Sequence, residues 1–512
     1  MTERKQNSLS LEPLPPALLS WNPLRWLSIF GPGAIIASLT IGTGELIFSS
    51  RGGALFGYRI LFLFVVISIF KWVLVFSTAR HMVLTGVHPL RRWLELSIGP
   101  RGWLPAVMFV FAALCIPIWV SFHASVLGDL FAGLTGTKQI LNGATVHLWG
   151  MAILAGVVGL AFTGGYAALE RVQLLVISAM MIAVTVVVVL LKPDWLEMLS
   201  GAFFPRSLHY PNWLVEDPGP AAQAIASRPI WVEATLYVGV IGGASYDYLA
   251  YTSFLRDKRW GLAGVRCDGG DANRVDWEEL RRWIRAPLVD CTLSFIVVMI
   301  FSTVFVVSGW LVLAPQHQVP GDGNFLEHQA QFVTRLHPWL YPVYVLGTLL
   351  AMLGTLYGTL EIGPAITRET YSLLKYHDGT ANQAKRLRKL ALVWSALGAS
   401  LVLAVSFFVQ LQTGESKPPG LTALLIPASL FTGVLSCGII CLLNPWIDLW
   451  LPKSRRPGVF LCCLNLLAGL VFLSLGLKGY WDYGGLFGLL VLGSTVVVGL
   501  FVAILCRSMF VR

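Results

Sequence analysis

The sequence predicts an all-α membrane bundle of about twelve transmembrane helices, and three observations carry that reading. The first is composition. Hydrophobic residues make up 56% of the 512 and charged residues 12%, with a mean hydropathy of +0.70, whereas a soluble domain carries about a quarter charged residues. The second is the length of the apolar runs. A helix needs roughly 20 apolar residues to cross the hydrocarbon core, and only helices and closed barrels satisfy backbone polar groups in lipid. The runs here are long and continuous, which excludes the alternating strands of about ten residues that build a barrel. The third is the distribution of basic residues. With the N-terminus placed inside, 27 of the 37 Lys and Arg fall in inside segments and nine in outside ones, with Lys71 within span 2. Cytoplasmic loops retain such an excess, so both termini are expected to be cytoplasmic, in a plasma (inner) membrane.

The twelve runs lie at 28–55, 59–85, 103–127, 144–163, 170–192, 232–254, 288–314, 339–363, 388–411, 420–444, 458–477 and 485–507. Residues 1–27 form a cytoplasmic N-terminal segment without the apolar stretch of a cleavable signal, so span 1 is the expected insertion signal. Span 1 holds Gly42-Thr43-Gly44-Glu45 at its middle, span 2 holds Lys71 and span 3 holds His123. Spans 1–5, residues 28–192, read as a first repeat, followed by an extracytoplasmic loop at 193–231. Span 6 carries Gly239-Val240-Ile241-Gly242-Gly243-Ala244-Ser245-Tyr246-Asp247. Spans 6–10, residues 232–444, read as a second repeat of opposite orientation, and 445–512 hold spans 11 and 12 and a short tail. Neither the 193–231 loop nor the 255–287 loop is large enough for a separate catalytic domain. The eight cysteines form no Cys-x-x-Cys, and most sit inside spans, which reads as packing.

Glycines at corresponding places in spans 1 and 6 matter because unwound backbone at the bilayer midplane is how many transporters build a binding site between inverted repeats. Taken singly, each run of glycines reads equally as close helix packing. An acid stands beside each one, however, and intramembrane acids mark ion paths, proton relays or paired charges. Gly42, Thr43, Gly44, Glu45, Gly243, Ser245, Tyr246 and Asp247 are therefore the candidate substrate or ion site. Lys71 must face a partner or a wet cavity, and an ion pair with Glu45 or Asp247 is the structural alternative to a transport role. His123 is a candidate for the proton path, its ordinary pKa lying near neutrality, although a lone histidine on an apolar helix is more often simply hydrogen-bonded. Glu233, Asp290 and Glu361 lie near span ends and are expected to be solvated or paired with loops.

Several stretches resemble the Nramp divalent-metal transporters, a family with the LeuT-type fold. They are Gly31-Pro32-Gly33, Gly57-Tyr58, Ala79-Arg80-His81-Met82-Val83-Leu84-Thr85-Gly86, Lys192-Pro193-Asp194-Trp195 and Gly239-Val240-Ile241-Gly242. The resemblance runs through most of spans 1–10 and implies a 5+5 inverted repeat with helices 1 and 6 broken and two C-terminal helices appended at the periphery. It also implies secondary transport of a divalent cation by alternating access, with proton symport. The site departs from the family pattern. The family's Asp-Pro-Gly-Asn falls on Gly42-Thr43-Gly44-Glu45, so its aspartate is glycine here and its asparagine is Glu45. The Met-Pro-His stretch falls near Tyr246-Asp247 with one residue deleted, so thioether and imidazole are both absent beside the breaks. On this resemblance the metal ligands are Glu45, Asp247 and freed carbonyls near Gly42 and Gly243, with Thr43, Ser245 and Tyr246 behind them, a set of oxygens suited to a hard ion such as magnesium, calcium or manganese.

Three other readings compete. Gly42-Thr43-Gly44 also resembles the amino-acid transporters of the same fold, where exposed amides hold a substrate carboxylate. A non-transporting sensor on a transporter scaffold would equally lose family ligands. An intramembrane aspartyl protease needs two carboxylates sharing a proton, and the nearest partner for Asp247 is Gly42-Thr43-Gly44-Glu45, with the wrong acid in the wrong order. No enzyme activity and no cofactor is expected. The partners are a transported cation or small solute and anionic lipid headgroups at the basic loops, which account for the net charge of +10 without nucleic acid.

Overall fold

The computed structural model describes residues 11–506 apart from 21, 27–31, 34–36, 38–39, 97, 164–177, 180, 266–274, 321–324, 336, 375–380 and 414–418. Over the described residues the expected spans appear as helices; most of the first half of span 1 lies outside them. α1 (Thr43–Phe56) and α2 (Ile60–Thr85) are joined by a tight turn, and α3 (Trp103–Leu134) and α4 (Thr145–Thr163) follow. Of span 5, the described residues form α5 (Met181–Leu190). Span 6 is two helices, α6 (Ile230–Val240) and α7 (Ser245–Asp257), separated by Ile241–Ala244. α8 (Arg285–Ser308) continues through a π-turn, then come α9 (Tyr341–Leu374) and α10 (Ala381–Thr413). Span 10 is α11 (Pro419–Ser429) and α12 (Ser436–Ile447), linked by a π-turn at Leu430–Leu435. Spans 11 and 12 form one run, α13 (Val459–Cys506), which reverses at Gly485, φ 53° and ψ −139°.

Eight of the described helical runs are long and apolar enough to cross a membrane. The difference from twelve is one of joins: spans 1 and 2 run together, spans 11 and 12 run together, span 6 is split, and span 5 is described only in part. These helices are apolar around their whole circumference, and they pack through small residues, as membrane helices do. A Cβ on Gly53 of α1 would lie 2.0 Å from the Val306 carbonyl oxygen of α8, and one on Gly309 would lie 2.1 Å from that of Ser50. α6 meets the π-turn of span 10 the same way: a Cβ on Gly433 would stand 1.9 Å from the Gly239 carbonyl oxygen. Hydroxyls inside the bundle return to their own helix, Ser50 to Leu46 and Thr78 to Leu74, which satisfies them without water. On the outer faces of α10 and α13, Leu401, Phe408, Leu486 and Phe487 are exposed, a lipid-facing surface.

The helices sort into two bodies by their packing. α3, α4, α9 and α10 contact one another extensively, α1, α2, α6 and α8 form the second group, and α7 lies between the two, against α2 and α9. α13 lies outside both, against α3 and α12, with most of its surface exposed.

One expectation about charge is corrected here, and another holds in part. Asp290 and Glu233, expected to be solvated or paired with loops, are both buried, but Glu233 does have a loop partner, Arg228 at 3.6 Å. Asp290 accepts from the Gly33 amide at 2.6 Å and the Tyr251 hydroxyl at 2.9 Å, so it ties the first half of span 1 to α7. Glu233 accepts from Arg51 Nε at 2.5 Å and from the Tyr237 hydroxyl at 2.8 Å, joining α6 to α1. Donors of its own allow a carboxylate near a span end to be buried. Glu361 pairs with Arg388 of α10, a partner on a helix and not in a loop.

Candidate functional site

Both predicted breaks are present. Span 1 unwinds at Ile41 and Gly42, where the Gly42 amide donates back to Thr40 at 2.8 Å before α1 starts at Thr43. Span 6 unwinds over Ile241–Ala244, where Gly242 and Gly243 have φ of +80° and +96°, conformations that suit glycine and strain any other residue. The glycine at 42, where the resembled family has aspartate, is fixed by packing. A Cβ there would meet Thr355 Oγ1 of α9 at 1.7 Å.

Every unwound backbone group buried in apolar surroundings requires a partner, and at the span 6 break this chain supplies them itself. The Lys71 ammonium donates to the carbonyls of Ile241 and Gly243, each at 2.6 Å. Between them, the Gly242 carbonyl accepts from the Tyr248 hydroxyl at 2.6 Å. The Gly242 amide donates to Glu45 Oε1 at 3.0 Å and the Ala244 amide to Asp247 Oδ2 at 2.6 Å. Gly243 N completes the turn on the Val240 carbonyl at 3.2 Å.

This accounting changes three sequence expectations. Lys71 forms no ion pair with Glu45 or Asp247; it holds carbonyls, because the break places two of them within reach of its ammonium. Glu45, fully buried, bridges the two breaks through Gly242 and does not line the cavity that Asp247 lines. Of the carbonyls expected as ligands near Gly42 and Gly243, those of the two glycines themselves are already engaged, Gly243 by Lys71 and Gly42 by the Leu46 amide at 3.0 Å. Ser245 and Tyr246 have positioning contacts, with Ser436 Oγ at 2.6 Å and the Met108 carbonyl at 2.6 Å, which tie α7 to α12 and α3. Thr43 begins α1, and its side chain lies outside the described residues.

Beside the breaks is a cavity of about 60 Å³. Thr40 and Gly44 line it from span 1, and Gly239, Val240, Gly243, Ala244, Tyr246 and Asp247 from span 6. Asp247 is its one carboxylate, and with Oδ2 on Ala244 its Oδ1 has no protein partner among the described residues. Of the opposite wall, sequence reasoning singled out His123 and missed the other residues. α3 contributes Cys115, Ile116, Trp119 and His123, α9 contributes Thr359 and Ile362, and the span 10 π-turn contributes Thr432. Trp119 donates its indole N–H to Thr432 at 3.2 Å and stacks on His123 with 5.7 Å between ring centroids, so the wall is built and not fluid. A thiol and an imidazole therefore do reach the cavity, brought by α3 and not by the two breaks. Among the described residues no cluster of three or more His, Cys, Asp or Glu is arranged to hold a metal ion.

Comparison with known proteins places this architecture. Residues 33–360, more than half of the chain, match the family described as Nramp, natural resistance-associated macrophage protein-like. No curated protein matches the sequence. Among solved structures, a manganese transporter of Eremococcus coleocola in complex with an aromatic bis-isothiourea compound superposes over 100% of both chains, with a TM-score of 0.66 at 14% identity. MhsT in complex with L-phenylalanine matches over 88% of this chain and 98% of its own, with a TM-score of 0.50 at 15% identity. Mhp1, a nucleobase-cation-symport-1 family transporter in a closed conformation with bromovinylhydantoin bound, covers 94% of this chain and 93% of its own, with a TM-score of 0.51 at 14% identity. The fold is the LeuT-type inverted repeat, with its first and sixth helices broken and two further helices at the C-terminus.

Proposed function

Because this chain belongs to the Nramp family, we propose that it is a secondary transporter of a metal cation, moving its substrate by alternating access through the cavity beside the two breaks. The observation that carries the reading is Asp247, the one carboxylate in the cavity wall, with Oδ1 free of protein partners among the described residues. A single carboxylate with threonine hydroxyls around it suits a divalent ion that keeps part of its water shell, such as magnesium, calcium or manganese. The nearby Cys115 and His123 extend the donors available to a borderline metal. Proton symport belongs to the same reading, with Asp247 exchanging proton for metal and His123 on the facing wall. The excess of basic residues in alternate loops supports a plasma-membrane orientation with both termini cytoplasmic.

A second reading is favoured by one observation: the carbonyls of Ile241, Gly242 and Gly243, which would have coordinated a dehydrated metal, are taken by Lys71 and Tyr248. Trp119 and Tyr246 line the remaining space. On that reading an organic solute bears an amine that pairs with Asp247 while its body stacks on the rings.

Uptake into liposomes separates the two. Asp247→Asn is expected to lower metal uptake about tenfold or more, since a charge-assisted contact exceeds the ~1.4 kcal/mol that a factor of ten represents, while leaving the melting temperature of the metal-free protein nearly unchanged. Saturable uptake of manganese or magnesium with acidification of the lumen supports the first reading. Melting-temperature increases with amino acids or amines but with no divalent metal would move the assignment to the second.

A further inference from the structure

We propose that Lys71 is a tethered cation, its ammonium occupying at the α6–α7 break a cation site built from the carbonyls of Ile241 and Gly243, beside the carboxylate of Glu45. The inference stands whichever solute the cavity takes.

Three observations converge on it. The donors presented to Nζ are two backbone carbonyls from one unwound turn, both at 2.6 Å. That is the arrangement by which opened membrane helices bind alkali cations. An ammonium and an alkali ion carry the same single charge and are satisfied by the same hard oxygens. Nζ has three N–H donors and only two are committed to these carbonyls. The carboxylate also fits. Glu45 is fully buried, its Oε1 accepts from the Gly242 amide, and its Oε2 accepts no hydrogen bond from the protein although it is closed off from the surface. A buried carboxylate oxygen without a donor is costly unless positive charge stands near it. The nearest opposite charge is Lys71, beyond ion-pair contact yet acting on Glu45 through space, while Asp247 acts on it with the opposite sign. Finally, the stem lies against the break. Lys71 is fully buried on α2, and a Cβ on Gly242 would lie 3.4 Å from its Cδ, so the chain threads past the break to deliver the ammonium.

A merely packed lysine and a tethered cation differ in one respect: only the second can be replaced by a free ion. Removing the side chain while leaving room, Lys71→Ala, opens the carbonyls and Glu45 to a small monovalent cation. Lys71→Met removes the charge but keeps the space filled. The purified full-length protein, Lys71→Ala and Lys71→Met would be melted in lithium, sodium, potassium and choline chloride at constant ionic strength. The expected result is a saturable rise in melting temperature with one alkali cation over choline for Lys71→Ala only. The parent and Lys71→Met should show none. Equal alkali dependence in the parent overturns the proposal, because its site would then still be open. So does Lys71→Ala that melts alike in all four salts, or that cannot be recovered folded in any of them, since Lys71 would then be an element of packing that no ion replaces.

Discussion

At the scale of single residues, the site is governed by what glycine permits and what a charged group finds within reach. Gly243 combines φ of +96° with a close neighbour: a Cβ there would lie 2.8 Å from Thr40 Cγ2 and 3.0 Å from Asp247 Oδ2. Gly243→Ala is expected to destabilise the protein by about 1–2 kcal/mol for the left-handed conformation alone, with a further cost from displacing Asp247. Gly156→Ala on α4 is the control, because nothing lies within 4 Å of the added carbon and alanine favours helix. Melting curves of the two variants would differ in sign or nearly so; equal behaviour would show that the break does not need glycine at 243. The positions of these glycines and of Asp247 were legible in the sequence, since an acid beside glycines in an apolar run is conspicuous. The partners were not. Whether Lys71 meets a carboxylate or a carbonyl depends on the path of span 6, 170 residues away along the chain, and charge counting treats every intramembrane acid as an equal candidate. Asp290 was misread for a related reason: its distance from the span end suggested water, while its actual donors come from Gly33 and Tyr251.

At the scale of elements, the helices expected from apolar runs are present, and the joins between them carry the differences. Splitting of span 6 was readable because Gly242 and Gly243 interrupt it. The π-turns at Gly309–Leu313 and Leu430–Leu435 were not, since they insert a residue into an unbroken apolar run without any compositional mark. The far wall of the cavity was hidden for the same cause: α3 is apolar on all sides, so its sequence does not tell which face bears Cys115 and His123 inward. One inter-element tie yields a test. Arg51 of α1 and Glu233 of α6 pair at 2.5 Å with side-chain exposures of 9% and 0%. Removing one member of such a pair costs about 3–5 kcal/mol where it strands a buried charge, and here Arg228, 3.6 Å from the other Glu233 oxygen, offsets part of that cost. Arg51→Ala should still destabilise, and Arg51→Ala with Glu233→Gln should recover a large part of the loss. A double variant no more stable than Arg51→Ala alone would show that the charge is not what binds α1 to α6.

At the scale of the whole molecule, α7 links the two helix bodies, and charged contacts hold it at one end. Arg51 and Glu233 lie within one body. At the end where α7 finishes, by contrast, Arg256 of α7 donates to Glu369 of α9 at 2.7 Å, Ser253 adds a bond to the same carboxylate at 3.0 Å, and Arg368 approaches Asp257 at 3.5 Å, all between α7 and α9. His88, in the segment after α2, bonds α7 through Thr252 and the Leu249 carbonyl beside this cluster, and burial holds its imidazole below the ordinary histidine value, so it stays neutral there. On the proposed transport reading, alternating access would need the bodies to separate at one end while they stay closed at the other, and the charge-assisted contact of α7 with α9 would be the latch at this end. Glu369→Gln keeps the shape of the side chain and removes the charge. A weakening of about 1–2 kcal/mol raises the population of the opened state roughly 5- to 30-fold. Cys115 reports it directly, because its thiol lines the cavity. Its alkylation by a small maleimide, followed on the Cys115 peptide by mass spectrometry, should accelerate by that factor in Glu369→Gln and return towards the parent rate in Glu369→Asp if the shorter carboxylate still reaches Arg256. Unchanged labelling in a folded Glu369→Gln protein would mean that the latch does not control entry, and that the closed end is held by the apolar packing of α7 against α9.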